Sequence, residues 1–310
     1  MGENSPLSIV VPVFNEEENV RPLVDAVRRA LADSGEWELL LVDDGSTDGT
    51  ARIGLELAAT DPRVRVLRLA RNYGQTTAMQ AGFDHVRGDI VISMDGDLQN
   101  DPNDIPALVA RLEEGFDLVA GFRVHRRDRL MTRRVPSWVA NRLIGWITGV
   151  AVRDNGCSLK AYRTSVLRRV HLYSDMHRFI PAVAVATAGA RISEVPVRHA
   201  PRLHGESKYG LSRIWRVLLD LVVLSMIRSF RERPLGLFGI GALGAAVLGA
   251  AFFIAMFVDL PLALHTAHGS AVVFSGAALL WLGLAFYLLM LGLIAEVAVD
   301  GVRWRARLAR

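Results

Sequence analysis

Two stretches of this 310-residue chain, Leu235–Val258 and Val272–Ala295, run for 24 positions each without a charged residue. A helix of that length measures about 36 Å at about 1.5 Å per residue, enough to cross bilayer hydrocarbon with some tilt. The final third is therefore expected to form two membrane-crossing helices, about 235–258 and 272–295. A pair of wholly buried soluble helices is the alternative, and the length and purity of the runs argue against it. The linker 259–270 has no Lys or Arg, whereas Arg228, Arg231 and Arg233 precede the first run and Arg303, Arg305, Arg307 and Arg310 follow the second. Cationic flanks stay on the cytoplasmic side, so a hairpin with both termini and the preceding domain in the cytoplasm is expected. Met1–Pro6 is polar and has no apolar core of a signal peptide.

The first two thirds read as an alternation of strands and helices. Strands are expected at Leu7–Phe14, Trp37–Val42, Val64–Leu69, Ile90–Met94, Asp117–Gly121 and Arg191–Val197, and Asp154–Arg163 reads as a polar turn entering a short strand. Helices are expected from Asn15 and the glutamates after it to about Ser34, after the 43–50 turn, and over about Thr76–Val86 and Asp104–Glu114. Such an order implies right-handed crossovers and a mostly parallel α/β sheet covered on both faces. Ser137–Gly149 and Leu211–Phe230 read as amphipathic helices; the second has Arg213, Arg216 and Asp220 on one face and leads into the first apolar run, as an interfacial helix would. The expected divisions are 1–210, 211–233 and 234–310. No Gly-x-Gly-x-x-Gly follows the first strand and no Walker-type loop occurs, which argues against a dinucleotide enzyme and a P-loop kinase. The single cysteine, Cys157, excludes an intramolecular disulfide and a cysteine-based zinc site.

Chemistry concentrates where strands end. Glu16, Asp43, Asp44, Asp95 and Asp97 each follow a strand, so they converge on the sheet edge where open α/β folds bind ligands. Asp95-Gly96-Asp97 can hold a hard divalent cation by oxygen ligands, with Gly96 allowing close backbone approach and Gln99 adding a neutral oxygen. Such a metal would bridge a diphosphate. The bland alternative is an acidic turn that caps the next helix. The other acceptors of this edge can bind the base and ribose of a nucleotide. Arginine supplies 34 of the 36 cationic side chains, leaving Lys160 and Lys208. Six arginines fall within 123–134, where they suit an anionic acceptor or headgroup better than a solvated loop. Asp154 either orients an acceptor, acts as a base, or serves a turn. In the loop 202–210, Arg202 and Lys208 are available to phosphate, Lys208 as a compact charge between two phosphorylated substrates. Residues 171–178 read as irregular, and their histidines, lacking metal-ligand spacing, as structural. No basic recognition helix or aromatic platform points to nucleic acid.

Taken together, Pro12-Val13-Phe14-Asn15-Glu16, Asp43–Thr50, Asp95–Gln99 and the Lys208 loop resemble the family-2 glycosyltransferases of GT-A fold, in their polyprenyl-phosphate branch. Arg71–Gln75, Asn155–Arg163 and Gly205–Tyr209 look especially like the aminoarabinose-type undecaprenyl-phosphate transferases. The resemblance covers nearly the whole chain. It implies inverting transfer of a sugar from a nucleotide sugar, UDP-linked by preference and GDP-mannose as another possibility, to a polyprenyl phosphate at a bacterial inner membrane. By it, Pro12, Phe14, Glu16, Asp43, Asp44, Asp95 and Gly96 would contact the donor, and Asp95, Asp97 and Gln99 would hold Mg²⁺ or Mn²⁺. Arg123, Arg133 and Ser137 would belong to the acceptor loop, with Arg202 and Lys208 on phosphate. Asp97, Asp154 and Lys208 would carry catalysis. A homo-oligomer, tetrameric in many members, is also implied. Gly96 stands where alanine is common, a departure expected to change little. One rival reading is a processive polysaccharide synthase, but no Gln-x-x-Arg-Trp motif occurs, since Gln75, Gln80 and Gln99 are the only glutamines. Another is a non-catalytic membrane partner subunit, against which the intact Asp-x-Asp speaks.

Overall fold

A computed structural model describes residues 6–124, 142, 145, 149–172, 176–200, 234–257 and 270–308. The chain divides into two compact units, Met1–Leu221 and Val222–Arg310. In the first, strands β1 (Leu7–Val13), β2 (Trp37–Asp43), β3 (Val64–Arg68) and β4 (Ile90–Ser93) alternate with helices α1 (Glu17–Ala30), α2 (Thr50–Thr60) and α3 (Gln75–Asp84). A 3₁₀ turn at Pro102–Asp104 leads to α4 (Ile105–Glu113) and β5 (Leu118–Arg123). Then come β6 (Lys160–Arg163), a short α5 (Thr164–Leu167), a 3₁₀ turn at Met176–Phe179, α6 (Ile180–Ala188) and β7 (Ile192–Val197).

The seven strands form one sheet in the order β3-β2-β1-β4-β6-β5-β7. The pairs β2–β3, β1–β2, β1–β4 and β5–β7 are parallel; β6 runs antiparallel to both β4 and β5. The expected mostly parallel sheet is thus present, with one reversed strand, β6, beside the central β4. Central β1, β2 and β4 are buried along almost their whole length, as strands covered on both faces must be. Helix α1 buries Val20, Leu23, Val24 and Val27, an i, i+3, i+4, i+7 spacing that makes one apolar stripe. Each such side chain contributes roughly 1.5–3 kcal/mol on leaving water. Glu17 and Glu18 lie in its first turn and Arg28 and Arg29 in its last, which complements the helix dipole.

Where bounds differ from expectation, they differ at element ends. Helix α1 stops at Ala30 rather than near Ser34. Helix α6, lying within a stretch for which no element was expected, begins at Ile180-Pro181 with proline in its first turn and ends on Gly189 at φ 66°. Most of 137–149 and all of 201–233, with the two amphipathic helices expected there, lie outside the described residues.

The second unit is a pair of helices, α7 (Pro234–Phe257) and α8 (Ser270–Leu308). Within them, Pro234–Ala255 and Val273–Ala298 are long and apolar enough to cross a membrane. Helix α8 runs on past the second apolar run, to Leu308. The helices pack on each other through small residues: Ala242, Ala245, Ala278 and Ala285 are buried, and a Cβ added at Gly249 would meet Leu282 Cγ at 2.8 Å. Close backbone approach of this kind replaces the hydrophobic effect where lipid surrounds the helices. The outer faces expose large apolar side chains; Ile240 is 77% exposed and Leu280 76%. The Glu296 carboxylate accepts from Leu235 N at 3.0 Å, capping the start of α7. Gly249→Leu should lower the helix-melting midpoint in detergent by several degrees, the effect of about 1–3 kcal/mol of overpacking. Gly244→Leu, at a position where a Cβ meets nothing within 4 Å, should not. Equal midpoints for the two variants would show that the helices do not pack through Gly249.

Candidate active site

Because β1, β2 and β4 are parallel neighbours, the residues that follow them emerge side by side. This brings Pro12, Phe14, Glu16, Asp43, Asp44, Asp95, Gly96 and Asp97 to one sheet edge, as the strand order demands. The loops after β1 and β2 are stapled together. Asn15 N donates to Ser46 Oγ (2.9 Å), Glu16 N to Thr50 Oγ1 (2.8 Å), Thr47 N to Asn15 Oδ1 (2.9 Å) and Asp44 N to Val13 O (2.9 Å). Asn15 adopts φ 53°, which its short polar side chain tolerates.

The acidic residues of this edge differ in their engagement. Asp43 is buried, accepts from Ser46 N (3.0 Å) and pairs with Arg68 (3.4 Å). Asp44 is also buried, and its two oxygens accept from the amides of Tyr73 and Gly74, both at 2.8 Å. Burial, helped by the charge of Asp43, holds the Asp44 carboxyl above its usual range; those two amides pull the other way. Glu16 accepts from Asn19 Nδ2 at 2.6 Å. Gly45 packs so closely on the Arg71–Asn72 backbone that a Cβ would lie 2.4 Å from Arg71 C, and its φ is 70°. Only glycine fits there.

The Asp95-Gly96-Asp97 turn follows β4. Asp97 is buried; Asp95 keeps some exposed surface, but its carboxyl group is enclosed. Burial first, and then the charge of Asp97, pushes the Asp95 carboxyl above its ordinary range. Opposing this are the Ser158 hydroxyl, the Lys160 charge and the Gln75 amide, whose Nε2 lies 2.7 Å from Asp95 Oδ1. The antiparallel register that pairs Ser93 with Lys160 runs the chain before β6 back along the turn. Lys160 is buried there and donates to Cys157 O. Its burial lowers its hold on a proton, against the attraction of Cys157, Asp154 and Asp95. The Cys157 thiol is itself pushed up by burial.

Leu98 sits at φ 61°, a conformation costing a branched side chain about 1–3 kcal/mol. It is held by Gln99 N donating to Asp97 Oδ1 (3.2 Å) and Ala200 N donating to Gln99 O (2.9 Å). The Gln99 side-chain amide donates to Ala200 O at 3.4 Å. A Cβ added at Gly96 would lie 2.8 Å from Val13 Cγ1 and 3.4 Å from Pro12 O. Glycine for alanine is therefore not the neutral exchange that was expected, because the stiff buried Val13 leaves no room. Gly96→Ala should cost about 1–3 kcal/mol in thermal unfolding, and adding Val13→Ala should recover part of it; strictly additive losses would refute the contact.

Asp154 and Arg123, expected to play separate parts, form one buried pair. Arg123 Nε and Nη2 donate to the two Asp154 oxygens at 2.6 and 2.9 Å, and Gly156 N donates to Oδ1 at 3.2 Å. Arg133, Ser137, Arg202 and Lys208 lie outside the described residues.

Two carboxylates in a buried turn form a donor set short of positive charge, and a hard divalent cation fits it. Among the described residues no three His, Cys, Asp or Glu side chains are gathered to hold a metal. Asp95 and Asp97 would instead serve as the two-carboxylate holder typical of Mg²⁺, with phosphate oxygens and water completing the shell.

Gln75, Ser158 and Lys160 lie within motifs that the sequence marks, Arg71–Gln75 and Asn155–Arg163, but their place beside Asp95 is not legible there. Lysine scarcity was a usable signal, since it marks Lys160 as much as Lys208. His177 matches its structural expectation: its Nδ1 lies 2.8 Å from Thr76 Oγ1. Burial first, and then the Arg178 and Lys160 charges, lower its pKa from 6.5 to about 3. The unfolded chain thus takes up a proton below about pH 6.5 that the folded chain refuses until about pH 3, so stability falls as pH falls through that window. His177→Gln should flatten the acid limb of the unfolding midpoint between pH 6.5 and 4. An unchanged limb would assign it to other groups.

Residues 8–172 match the family model described as Glycosyl transferase family 2. The dodecaprenyl-phosphate galacturonate synthase of Rhizobium johnstonii is 50% identical over 260 residues, covering 80% of this chain and 76% of that protein. The undecaprenyl-phosphate 4-deoxy-4-formamido-L-arabinose transferase of Edwardsiella ictaluri is 39% identical over 293 residues, covering 94% of this chain and 87% of that protein. Among solved structures, glucosyl-3-phosphoglycerate synthase from Mycobacterium tuberculosis, in complex with Mn²⁺, UDP and phosphoglyceric acid, aligns with a TM-score of 0.55 at 22% identity. That alignment covers 72% of this chain and 78% of the other, and it speaks to the fold alone.

Proposed function

This chain belongs to glycosyl transferase family 2, and on that premise we propose that it transfers a sugar from a nucleotide donor to a polyprenyl phosphate at the cytoplasmic face of a bacterial inner membrane. The observation that carries the reading is the presence, in one chain, of a carboxylate turn at the ligand edge of the sheet and a helix pair long and apolar enough to cross a bilayer. A soluble acceptor needs no such pair. The named polyprenyl-phosphate acceptors of the two curated relatives agree with it. The 50% identity to a galacturonate synthase makes UDP-galacturonate the first donor to test, and the 39% relative makes UDP-4-deoxy-4-formamido-L-arabinose the second.

In this reading Asp43, Asp44 and Glu16 line the nucleoside end, and Asp95 and Asp97, with Gln99 beside them, would hold Mg²⁺ or Mn²⁺. Such an ion, when bound, neutralises charge on the departing nucleoside diphosphate. The acceptor is a phosphate monoester with a second pKa near ~6, so its attacking oxygen is already anionic at neutral pH. A strong general base is dispensable, and positioning carries more of the rate. Asp154, with both oxygens engaged by Arg123, suits orientation of the acceptor side better than proton removal. In-line attack from the acceptor face inverts the anomeric centre. Arg133, Arg202 and Lys208 would meet the acceptor phosphate or its membrane surface.

The deciding experiment is transfer by the full chain in nanodiscs, from a panel of UDP-sugars and GDP-mannose, to undecaprenyl and dodecaprenyl phosphate. One UDP-sugar should dominate. Asp97→Asn should lose at least about 100-fold in kcat, the scale of removing one essential electrostatic contact, and chelator should silence the wild type. Full activity in excess chelator would end the metal assignment, and the absence of transfer to any lipid phosphate would end the acceptor assignment.

A further inference from the structure

Asp95 has a second layer of support that enters from outside its own turn. Gln75 is the first residue of α3, which follows β3, a strand separated from β4 by two others in the sheet. Its side chain nonetheless reaches Asp95, with Nε2 to Oδ1 at 2.7 Å. What makes that reach reproducible is the fixed backbone before it. Asp44 holds the amides of Tyr73 and Gly74, each at 2.8 Å. Gly45 lies directly against the backbone of Arg71 and Asn72. Gly74 turns the chain into α3 at φ 93°, a conformation readily available only to glycine. Helix α3 is then seated on the sheet, where Gly82 leaves no space for a Cβ against Val10. On the other side of the carboxylate, Ser158 Oγ accepts from Asn100 Nδ2 at 2.7 Å, which leaves the hydroxyl hydrogen to donate to Asp95.

We propose that Gln75 is a positioning residue for metal binding: its amide fixes the rotamer of Asp95, so that the Asp95–Asp97 pair is pre-set to receive a divalent cation. The inference rests on the reading of Asp95 and Asp97 as the metal holders and adds a residue that touches neither substrate nor cation. Its physical basis is general. A ligating carboxylate that carries a hydrogen bond to its outer oxygen loses less freedom on binding, and removing such an outer partner weakens metal affinity by about 10- to 100-fold. A glutamine suits the task because its neutral amide donates without adding charge beside two carboxylates.

The test measures Mn²⁺ binding by electron paramagnetic resonance, using the full chain in detergent without any donor. Gln75→Leu keeps the bulk and loses the donor; it should raise the Mn²⁺ Kd about 10- to 100-fold. Gln75→Met keeps the unbranched shape, adds no charge and also loses the donor, so it should show the same loss. Gln80→Leu is the structural control. Gln80 lies on the same helix and accepts from Leu172 N at 2.8 Å, so its loss disturbs packing without touching Asp95 and should leave the Mn²⁺ Kd within about twofold. A Gln75→Leu variant that binds Mn²⁺ like wild type overturns the proposal. So does a Gln75→Met variant that is folded by circular dichroism and binds Mn²⁺ like wild type, and this second measurement decides the matter if Gln75→Leu does not fold. A wild type that binds no Mn²⁺ and transfers sugar in excess chelator defeats the metal reading itself, a different result from a wild type that binds and a variant that binds equally well.

Discussion

Two carboxylates cannot share a buried turn without compensation. Their mutual repulsion and the loss of water both favour taking up a proton, and a protonated acid is a poor ligand for a hard cation. The surroundings of Asp95 and Asp97 are arranged around this constraint. The Gln75 amide, the Ser158 hydroxyl and the buried Lys160 ammonium all oppose it. They come from two distant stretches of chain, Gln75 from the start of α3 and Ser158 and Lys160 from the entry to β6, and together they require the sheet to be built as it is. The reversed strand β6 matters most, because its pairing with β4 carries Ser158 and Lys160 to the carboxylates from more than sixty residues away. Lys160 is the costly member of the set. A buried ammonium is tolerable only beside anions and a carbonyl, and Asp95, Asp154 and Cys157 O supply these.

The same constraint shapes the part of the edge formed by the loops after β1 and β2. The loops after β1, β2 and β3 are joined by hydrogen bonds from backbone amides to Asn15, Asp44, Ser46 and Thr50. Loops tied in this way need little reordering when a ligand arrives, so less binding free energy is lost to entropy. Two non-glycine residues in the left-handed region, Asn15 and Leu98, flank the edge. Strain of that kind persists where neighbouring contacts over-determine the backbone, and at Leu98 those contacts are the bonds of Gln99 to Asp97 and Ala200. Arg123 and Asp154 extend the rigidity to the end of β5, where a two-pronged ion pair replaces two separately mobile side chains.

The second unit obeys the rules of another solvent. Among the described residues, the buried positions within its helices past Pro234 are alanine and glycine, whereas large apolar side chains face outward, the reverse of the arrangement in the sheet. Lipid tails are as apolar as leucine, so helices in a bilayer gain by close packing rather than by hiding large side chains. The cap that Glu296 gives to Leu235 N satisfies a backbone group that would otherwise need water.

The amino-acid sequence by itself determined the membrane-length helices, the strand–helix alternation and the gathering of Glu16, Asp43, Asp44, Asp95 and Asp97 at one edge. These depend on local periodicity and on the rule that parallel strands share an orientation, and both are written within short windows of sequence. It also singled out Asp154 and Arg123, but as separate residues with separate tasks. Tertiary structure alone decided that they are one ion pair, that Gln75 and Ser158 serve Asp95, that Lys160 is an internal counter-charge, and that Gly96 has no room for a methyl group. It also decided the reversed direction of β6, a short strand that the sequence implied without its orientation, and helix α6, whose all-round apolar character gives no amphipathic period to read. The physical reason is common to all of these. A hydrogen bond or an ion pair between residues dozens of positions apart depends on strand order and register, and no window of sequence contains either.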